Sequence, residues 1–403
     1  MKNLFALLAG LVFQASVASA ATYYVATSGS DSNSCSNATN IATPKRTMAS
    51  GISCLSAGSI LYVRGGTYSE DINSGAQTIP VGSSWTNVVT ISAYPGETPV
   101  VRSIRLWHSY VQYIVINGLS VDNQFTYDEA IYLSNGSHHI RFSNVEVKNA
   151  KRQGILIPQG SCASPCRTYH EFVAMNVHDN GRIVSLDHGF YIETGNNLIE
   201  KSDIYDNAAF GIQIYNGSGG RANDNIVRQN TVRNNYRLGG GTGCGIVLGS
   251  GANNMAYNNI VRNNPGCGIV VSSNGPSNTK IHNNTFYNNG SEAIDIYSGS
   301  SNTSVQNNIF YQNGGTIIDR SGSGTITTNN LSSDPKFLNA GNNDFHLQSG
   351  SAAINAGATL TAVTSDFDGN VRPQDGAFDI GAYEFTTTTS TLIAPTNLAV
   401  NPQ

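Results

Sequence analysis

The sequence predicts an all-β solenoid, on three observations. First, eight short segments align on one apolar position, at Ile131, Ile155, Phe190, Ile212, Ile246, Ile269, Ile294 and Ile317. The steps between them are 24, 35, 22, 34, 23, 25 and 23 residues, and one alternating strand per 20–30-residue repeat is a solenoid signature. Second, each coil carries an earlier strand that ends on asparagine. The last Asn of each falls at 149, 180, 207, 235, 264, 289 and 313. Third, there are ten Asn-Asn pairs. Asn tolerates left-handed backbone, and stacked carboxamides can bond along an axis. The Asn columns are therefore read as structural.

Residues 1–20 read as a secretion signal: Lys2 first, then the apolar run Leu4–Val12, then Ala18-Ser19-Ala20. No other stretch is apolar and long enough to span a membrane, so the expectation is a secreted or periplasmic monomer. Residues 21–80 read as an N-terminal cap with the first coils. A short helix is expected over Thr47–Leu55, where it would shield the open sheet edge. Residues 81–332 carry the strands. Residues 333–385 lose the repeat and should fold over the last coil, and 386–403 form a Thr-rich tail. Charged residues make up 12% and the net charge is −4, which gives no reason to expect nucleic-acid binding.

Six cysteines in an exported chain allow three disulfides. Cys35 and Cys54 flank the first cap segment, and Cys162 and Cys166 bracket a short loop. Cys244 and Cys267 hold equivalent places in consecutive coils, about 5 Å apart. A disulfide there and a stack of two buried thiols are both open.

Periodicity, Asn turns and flanking segments together resemble a right-handed parallel β-helix of the pectate-lyase-like superfamily. Tyr23-Tyr-Val-Ala, Gly29-Ser-Asp and Leu61-Tyr-Val-Arg-Gly-Gly-Thr-Tyr resemble the N-terminal segment of chondroitinase-B-like proteins. Asp334-Pro-Lys-Phe, Ser351-Ala-Ala-Ile-Asn-Ala-Gly and Asp368-Gly-Asn-Val-Arg-Pro with Asp379-Ile-Gly-Ala-Tyr-Glu-Phe resemble a cap of bacterial exported β-helix proteins. The resemblance implies a single-stranded β-helix with two caps. Its activity is left open, because the superfamily spans lyases, hydrolases, epimerases, esterases and surface proteins. The chain lacks the Asp-Asp, Gly-His-Gly and Arg-Ile-Lys set of polygalacturonases. It also lacks the Asp-Asp-x-x-Asp calcium cluster of one pectate-lyase group and the Asp-Pro-His-Asp of alginate epimerases. No catalytic residue is carried over from these families.

The chemistry is read from the central coils. Alternation points Phe190 and Ile192 inward and Tyr191 and Glu193 outward, with Gln213 and Tyr215 beside them. Long steps on either side supply loops, and 11 of 22 Lys and Arg fall within residues 141–237. A basic groove suits an acidic polysaccharide. A lyase must neutralise a uronate carboxylate, remove the C5 proton and protonate the leaving oxygen. Lys148, Lys151 and Arg152 are expected as base or carboxylate clamp, and His178 and His188 as proton shuttles near neutral pH, with Asp187 the catalytic carboxylate that orients a His. Lys148, Arg182, Tyr191, Glu193, Gln213, Tyr215 and Arg237 are the expected substrate contacts. Asp179, Asp187 and Glu193 are the acids that could hold calcium, the one cofactor considered. The leading reading is a polysaccharide lyase on an acidic polymer. The alternatives are a glycoside hydrolase using carboxylates such as Asp187 and Glu193, and a non-catalytic surface or glycan-binding protein.

Overall fold

The computed structural model describes residues 21–162, 166–183, 186–217, 221–238, 243–272 and 274–386. The expected secretion signal and residues 387–403 of the tail lie outside the described residues. The chain is a right-handed parallel β-helix with three sheets. Sheet one has twelve strands, from Thr22–Val25 to Ile326–Thr328. Sheet two includes Glu146–Lys148, Asn176–His178, Asp203–Tyr205 and Thr231–Arg233. Sheet three includes Ile131–Leu133, Ile155–Ile157, Phe190–Ile192 and Ile212–Ile214. Pro99–Leu106 pairs with a sheet-two strand at one end and a sheet-three strand at the other, so it runs through the corner.

All eight aligned positions pair in register from Ile131 to Ile317. A ninth rung precedes them, with Ile104 opposite Ile131. Where strands pair, inward residues stand on their equivalents in the next coil and meet the other sheets across the core. Phe142 lies on Phe172 at 5.5 Å between ring centroids, and Phe172 meets Phe190 edge-on at 5.3 Å. The result is one continuous apolar column from Val25 to Phe310.

Each of the three corners carries a ladder of buried carboxamides. After sheet two, Asn180, Asn207, Asn235, Asn264, Asn289 and Asn313 bond head to tail at 2.8–3.4 Å. Between sheets one and two run Asn230, Asn259, Asn284, Asn308 and Asn330 at 2.9–3.0 Å. Between sheets three and one run Asn197, Asn225 and Asn254 at 3.0–3.1 Å. The Asn-Asn pairs now have a mechanism. In nine of the ten, the first Asn takes positive φ, as Asn258 does at 51°, and the second enters a ladder. The expected column needs one correction: Asn149 has φ 58° and aligns with Asp179, while Ala150 occupies the ladder position.

The N-terminal helix forms over Met48–Ile52, with Thr47 accepting from the Ser50 amide at 3.2 Å. The C-terminal segment does not fold over the last coil. It lies along the corner between sheets one and two. There the left-handed Asn258, Asn283 and Asn307 donate to the carbonyls of Ser365, Asp379 and Ala358. The last sheet-one strand, Ile326–Thr328, is exposed at all three residues. Within the cap, Arg372 and Glu384 form a fully buried ion pair. Disulfides join Cys35 to Cys54, Cys162 to Cys166 and Cys244 to Cys267, the last with Cα atoms 4.3 Å apart. This resolves the alternative left open for Cys244 and Cys267. Among the described residues no helix is long and apolar enough to cross a membrane.

Two outcomes follow. Asn259→Ala removes the acceptor of Asn230 and the donor to Val227. It should lower stability by ~2–4 kcal/mol in urea denaturation. In the cap, His346 sits between Asp368 at 2.8 Å and Asp344 at 2.6 Å. Hydrogen bonding to Asp368, then to Asp344, raises its pKa from 6.5 to about 9. The contribution is complete below the unfolded value and is lost as pH rises through the folded one. The Tm advantage of the native chain over His346→Asn should shrink between about pH 6 and about pH 10.

Candidate functional site

The outer face of sheet three is built from rows of outward side chains, because parallel register repeats each position coil after coil. One row runs Arg105, Tyr132, Leu156, Tyr191, Gln213, Val247, Val270, Asp295. A groove of about 290 Å³ opens along its centre, lined by Phe210, Gln213, Tyr215, Cys244, Val247, Val270, Ser272 and Tyr297. The Cys244–Cys267 disulfide stitches two coils beneath it. Phe190 and Ile192 are buried, while Tyr191 and Glu193 face outward, as alternation predicts.

The structure divides the expected site residues between two faces. On and beside sheet three stand Arg152, Asp187, His188, Tyr191, Glu193, Gln213 and Tyr215. Arg152 Nε lies 3.5 Å from Asp187 Oδ1, with 44% of the Arg152 side chain exposed. Asp187 is fully buried, and its Oδ2 accepts from the amides of Arg182 at 2.8 Å and Ile183 at 2.7 Å. It closes a turn that needs Gly181, whose φ is +87° and whose Cβ would lie 2.3 Å from that of Asp187. The carboxylate shapes the loop and holds Arg152; it is not displayed to a substrate.

His188 is also corrected. It is 3% exposed and stacks on Phe210 at 5.1 Å, with Tyr191 edge-on at 5.6 Å. Its Nδ1 accepts from the Phe210 amide at 3.3 Å. Burial pushes its pKa down to about 3, offset only in part by Gln213. The ring is thus a neutral spacer between coils rather than a proton shuttle near neutral pH. The Tyr191 hydroxyl is pushed up to about 12, by burial first and then by the Glu193 carboxylate beside it. Glu193 Oε2 accepts from the Gln159 amide at 3.0 Å.

Lys148, His178 and Asp179 form a second cluster, on sheet two. Lys148 is bonded to Glu146 at 2.8 Å, which raises its pKa and keeps it charged. That removes it as a base. His178 bridges Asp179 at 2.8 Å and Glu146 at 3.2 Å and stacks on Tyr205 at 4.8 Å. Arg182 caps the Phe125 ring at 4.3 Å. Arg237 donates to the carbonyls of Asp206 at 2.6 Å and Gly181 at 3.0 Å, so it staples loops together. Lys151 is half-buried and, among the described residues, makes no ion pair.

The three acids expected to hold calcium do not fit that task as a set. Asp179 is engaged on sheet two, Asp187 is sealed in its turn and Glu193 stands on sheet three. Among the described residues no group of three His, Cys, Asp or Glu side chains is placed to hold a metal ion. The sequence reading missed the N-terminal end of the sheet-three face, where Arg105, Trp107, Glu129 and Tyr132 gather. The available signal was the rung at Ile104, one step before the first aligned repeat.

Comparison with known proteins agrees with the fold. Residues 168–332 match a family model described as a right-handed beta helix region. No curated protein sequence matches the chain. Among solved structures, it is similar to pectate lyase Pel9A, with a TM-score of 0.68 and 17% identity over 91% of this chain and 96% of that one. A rhamnogalacturonan lyase gives 0.55 and 13% over 88% and 95%. A GH136 lacto-N-biosidase from Eubacterium ramulus gives 0.51 and 11% over 76% and 68%. At these identities the likeness establishes architecture alone.

One outcome tests the His188 assignment. In an NMR titration of the imidazoles, its ring signals should stay flat between about pH 5 and about pH 8. A midpoint near 6.5, the ordinary histidine value, would contradict it.

Proposed function

We propose that the chain is an exported carbohydrate-active protein that binds an acidic polysaccharide along sheet three and cleaves it by β-elimination. The observation that carries this reading is the axial groove itself. It is open along the coil stack, lined by Phe210, Tyr215 and Tyr297, and continued by Tyr191 toward the cations Lys151 and Arg152. Aromatic faces suit the apolar faces of sugar rings, and a groove parallel to the axis suits a polymer. Three disulfides suit an oxidising compartment. The likeness to two polysaccharide lyases raises the prior for this chemistry as analogy.

In the proposed reaction the uronate carboxylate lies against Arg152. Lys151, which makes no ion pair among the described residues, takes the C5 proton as the neutral amine. The C5 electron pair forms the C4–C5 double bond as the C4–O bond breaks, and the leaving oxygen takes a proton. Tyr191 is the proposed donor, because its hydroxyl stands on the same outward row as the groove. Burial of Asp187 weakens the paired-carboxylate hydrolase reading. The calcium expectation becomes an assay condition here, since Arg152 is given the neutralising role.

The mature chain should be incubated with polygalacturonate, alginate and glycosaminoglycans, with calcium and with a chelator. Ultraviolet absorbance of the unsaturated product is the expected result. New reducing ends without that absorbance would replace elimination by hydrolysis, and absence of both would leave a binding protein. Lys151→Ala should lower kcat/KM by ~10²–10⁴-fold, with far-ultraviolet circular dichroism unchanged.

A further inference from the structure

We infer that the N-terminal end of the sheet-three face is a carboxylate subsite, in which Arg105 takes the acid group of a sugar whose ring rests on Trp107. The inference rests on the reading of sheet three as a polysaccharide surface and names the part of it that selects acidic units.

Arg105 is held by aromatic rings and lacks a close carboxylate. It opens the outward row that continues through Tyr132, Leu156 and Tyr191 into the groove. Its guanidinium is fixed by ring faces, 4.8 Å from the Tyr132 centroid and 5.4 Å from that of Tyr127. Two other outward arginines are saturated by close carboxylates. Arg102 makes two bonds of 2.9 Å to Asp71, and Arg320 bonds Asp295 at 2.8 and 3.1 Å. Arg105 differs. Its nearest carboxylate oxygen, Glu129 Oε2, is 3.6 Å away, beyond hydrogen-bond length. The buried Nη1 has no hydrogen-bond partner, while 22% of the side chain stays exposed. A buried guanidinium nitrogen without an acceptor is unfavourable, and a ligand carboxylate that meets the exposed part of the guanidinium and displaces Glu129 can supply one.

Trp107 is the second, independent observation. It is 37% exposed, so part of the indole face is open to a ligand. Its position is nonetheless fixed. A Cβ on Gly75 would lie 2.4 Å from its Cζ2, so only glycine lets the ring settle on that loop. Trp107 follows Leu106, which pairs with Leu133, so its ring rises from the same face as Arg105, with Tyr132 6.5 Å away. A rigid, wet indole beside an unsaturated guanidinium has the two elements that recognise an acidic pyranose: a stacking plane and a bidentate donor.

Glu129 sets the specificity. Its carboxyl is mostly buried and feels both Arg105 and Arg152. Burial raises its pKa, so its charge is already disfavoured there. An incoming carboxylate competes with this loosely placed one for Arg105, whereas a neutral sugar gains nothing from the exchange. Arg105 and Gln213 are four strand spacings apart, about 19 Å, so the subsite and the groove are bridged by an oligosaccharide and not by a single sugar.

The test measures calorimetric binding of oligogalacturonate and of its methyl ester to the full mature chain. Arg105→Gln should weaken the free acid at least ~10-fold and leave the ester unchanged. Glu129→Gln should tighten the free acid. Tyr215→Ala, in the groove, should weaken both ligands alike. If Tyr215→Ala weakens both while Arg105→Gln changes neither, the subsite is overturned and the groove reading stands. If the native chain binds neither ligand, both readings fall. If Arg105→Gln does not fold, Glu129→Gln decides: tighter binding of the acid supports the subsite, and unchanged or weaker binding overturns it.

Discussion

The buried carboxamide ladder is the constraint on which the rest depends. A parallel β-helix has no hairpins, so nothing local sets where one coil stops and the next begins. Here each ladder Asn does so. Its Oδ1 accepts both the backbone amide and the Nδ2 of the preceding coil, as Asn259 does for Asn230 at 3.0 Å each. Its Nδ2 bonds onward to Asn284 and also donates to a carbonyl, here that of Val227. The carboxamide of each such Asn is then satisfied in a dry interior, where an unmade bond costs most. The preceding residue turns the chain through positive φ, which Asn and Asp accept more readily than other residues. With three corners fixed this way, coil length can vary between them without loss of register. The long steps before Phe190 and Ile246 are absorbed in this manner, and the rungs on either side still pair.

Register in turn creates the functional face. Each outward position becomes a row, and the character of a row changes along the axis. The sheet-three row is cationic and aromatic at Arg105 and Tyr132, apolar over Val247 and Val270, and closed by the Asp295–Arg320 pair. The disulfide under the apolar centre joins equivalent positions of two coils, so it holds the groove floor at one strand spacing. The C-terminal segment leaves this face free because it docks on the opposite corner, using the left-handed Asn column as its attachment strip.

The repeat was legible because inward residues carry it without interruption: all eight aligned positions pair as the sequence aligns them. The Asn column was legible too, except at Asn149, where two adjacent polar columns differ by one residue and only hydrogen bonding separates them. The site was read less well, for identifiable reasons. The pairing of Lys148 with Glu146 could have been anticipated, since residues two apart on a strand share a face. The burial of His188 could not, because Phe210 of the next coil and Tyr191 cover its ring. Arg105 and Trp107 escaped notice because their rung, at Ile104, precedes the first aligned repeat and belongs to a strand that serves two sheets.

The central claim is that a polysaccharide chain lies along sheet three, parallel to the coil axis. A crystal structure of the chain soaked with an acidic oligosaccharide tests it most directly. The account predicts sugar density running from Trp107 past Tyr191 to the groove at Tyr215, with one carboxylate within hydrogen-bond distance of Arg105 and another near Arg152. Density on sheet two around His178, or crossing the coils at right angles, would contradict it.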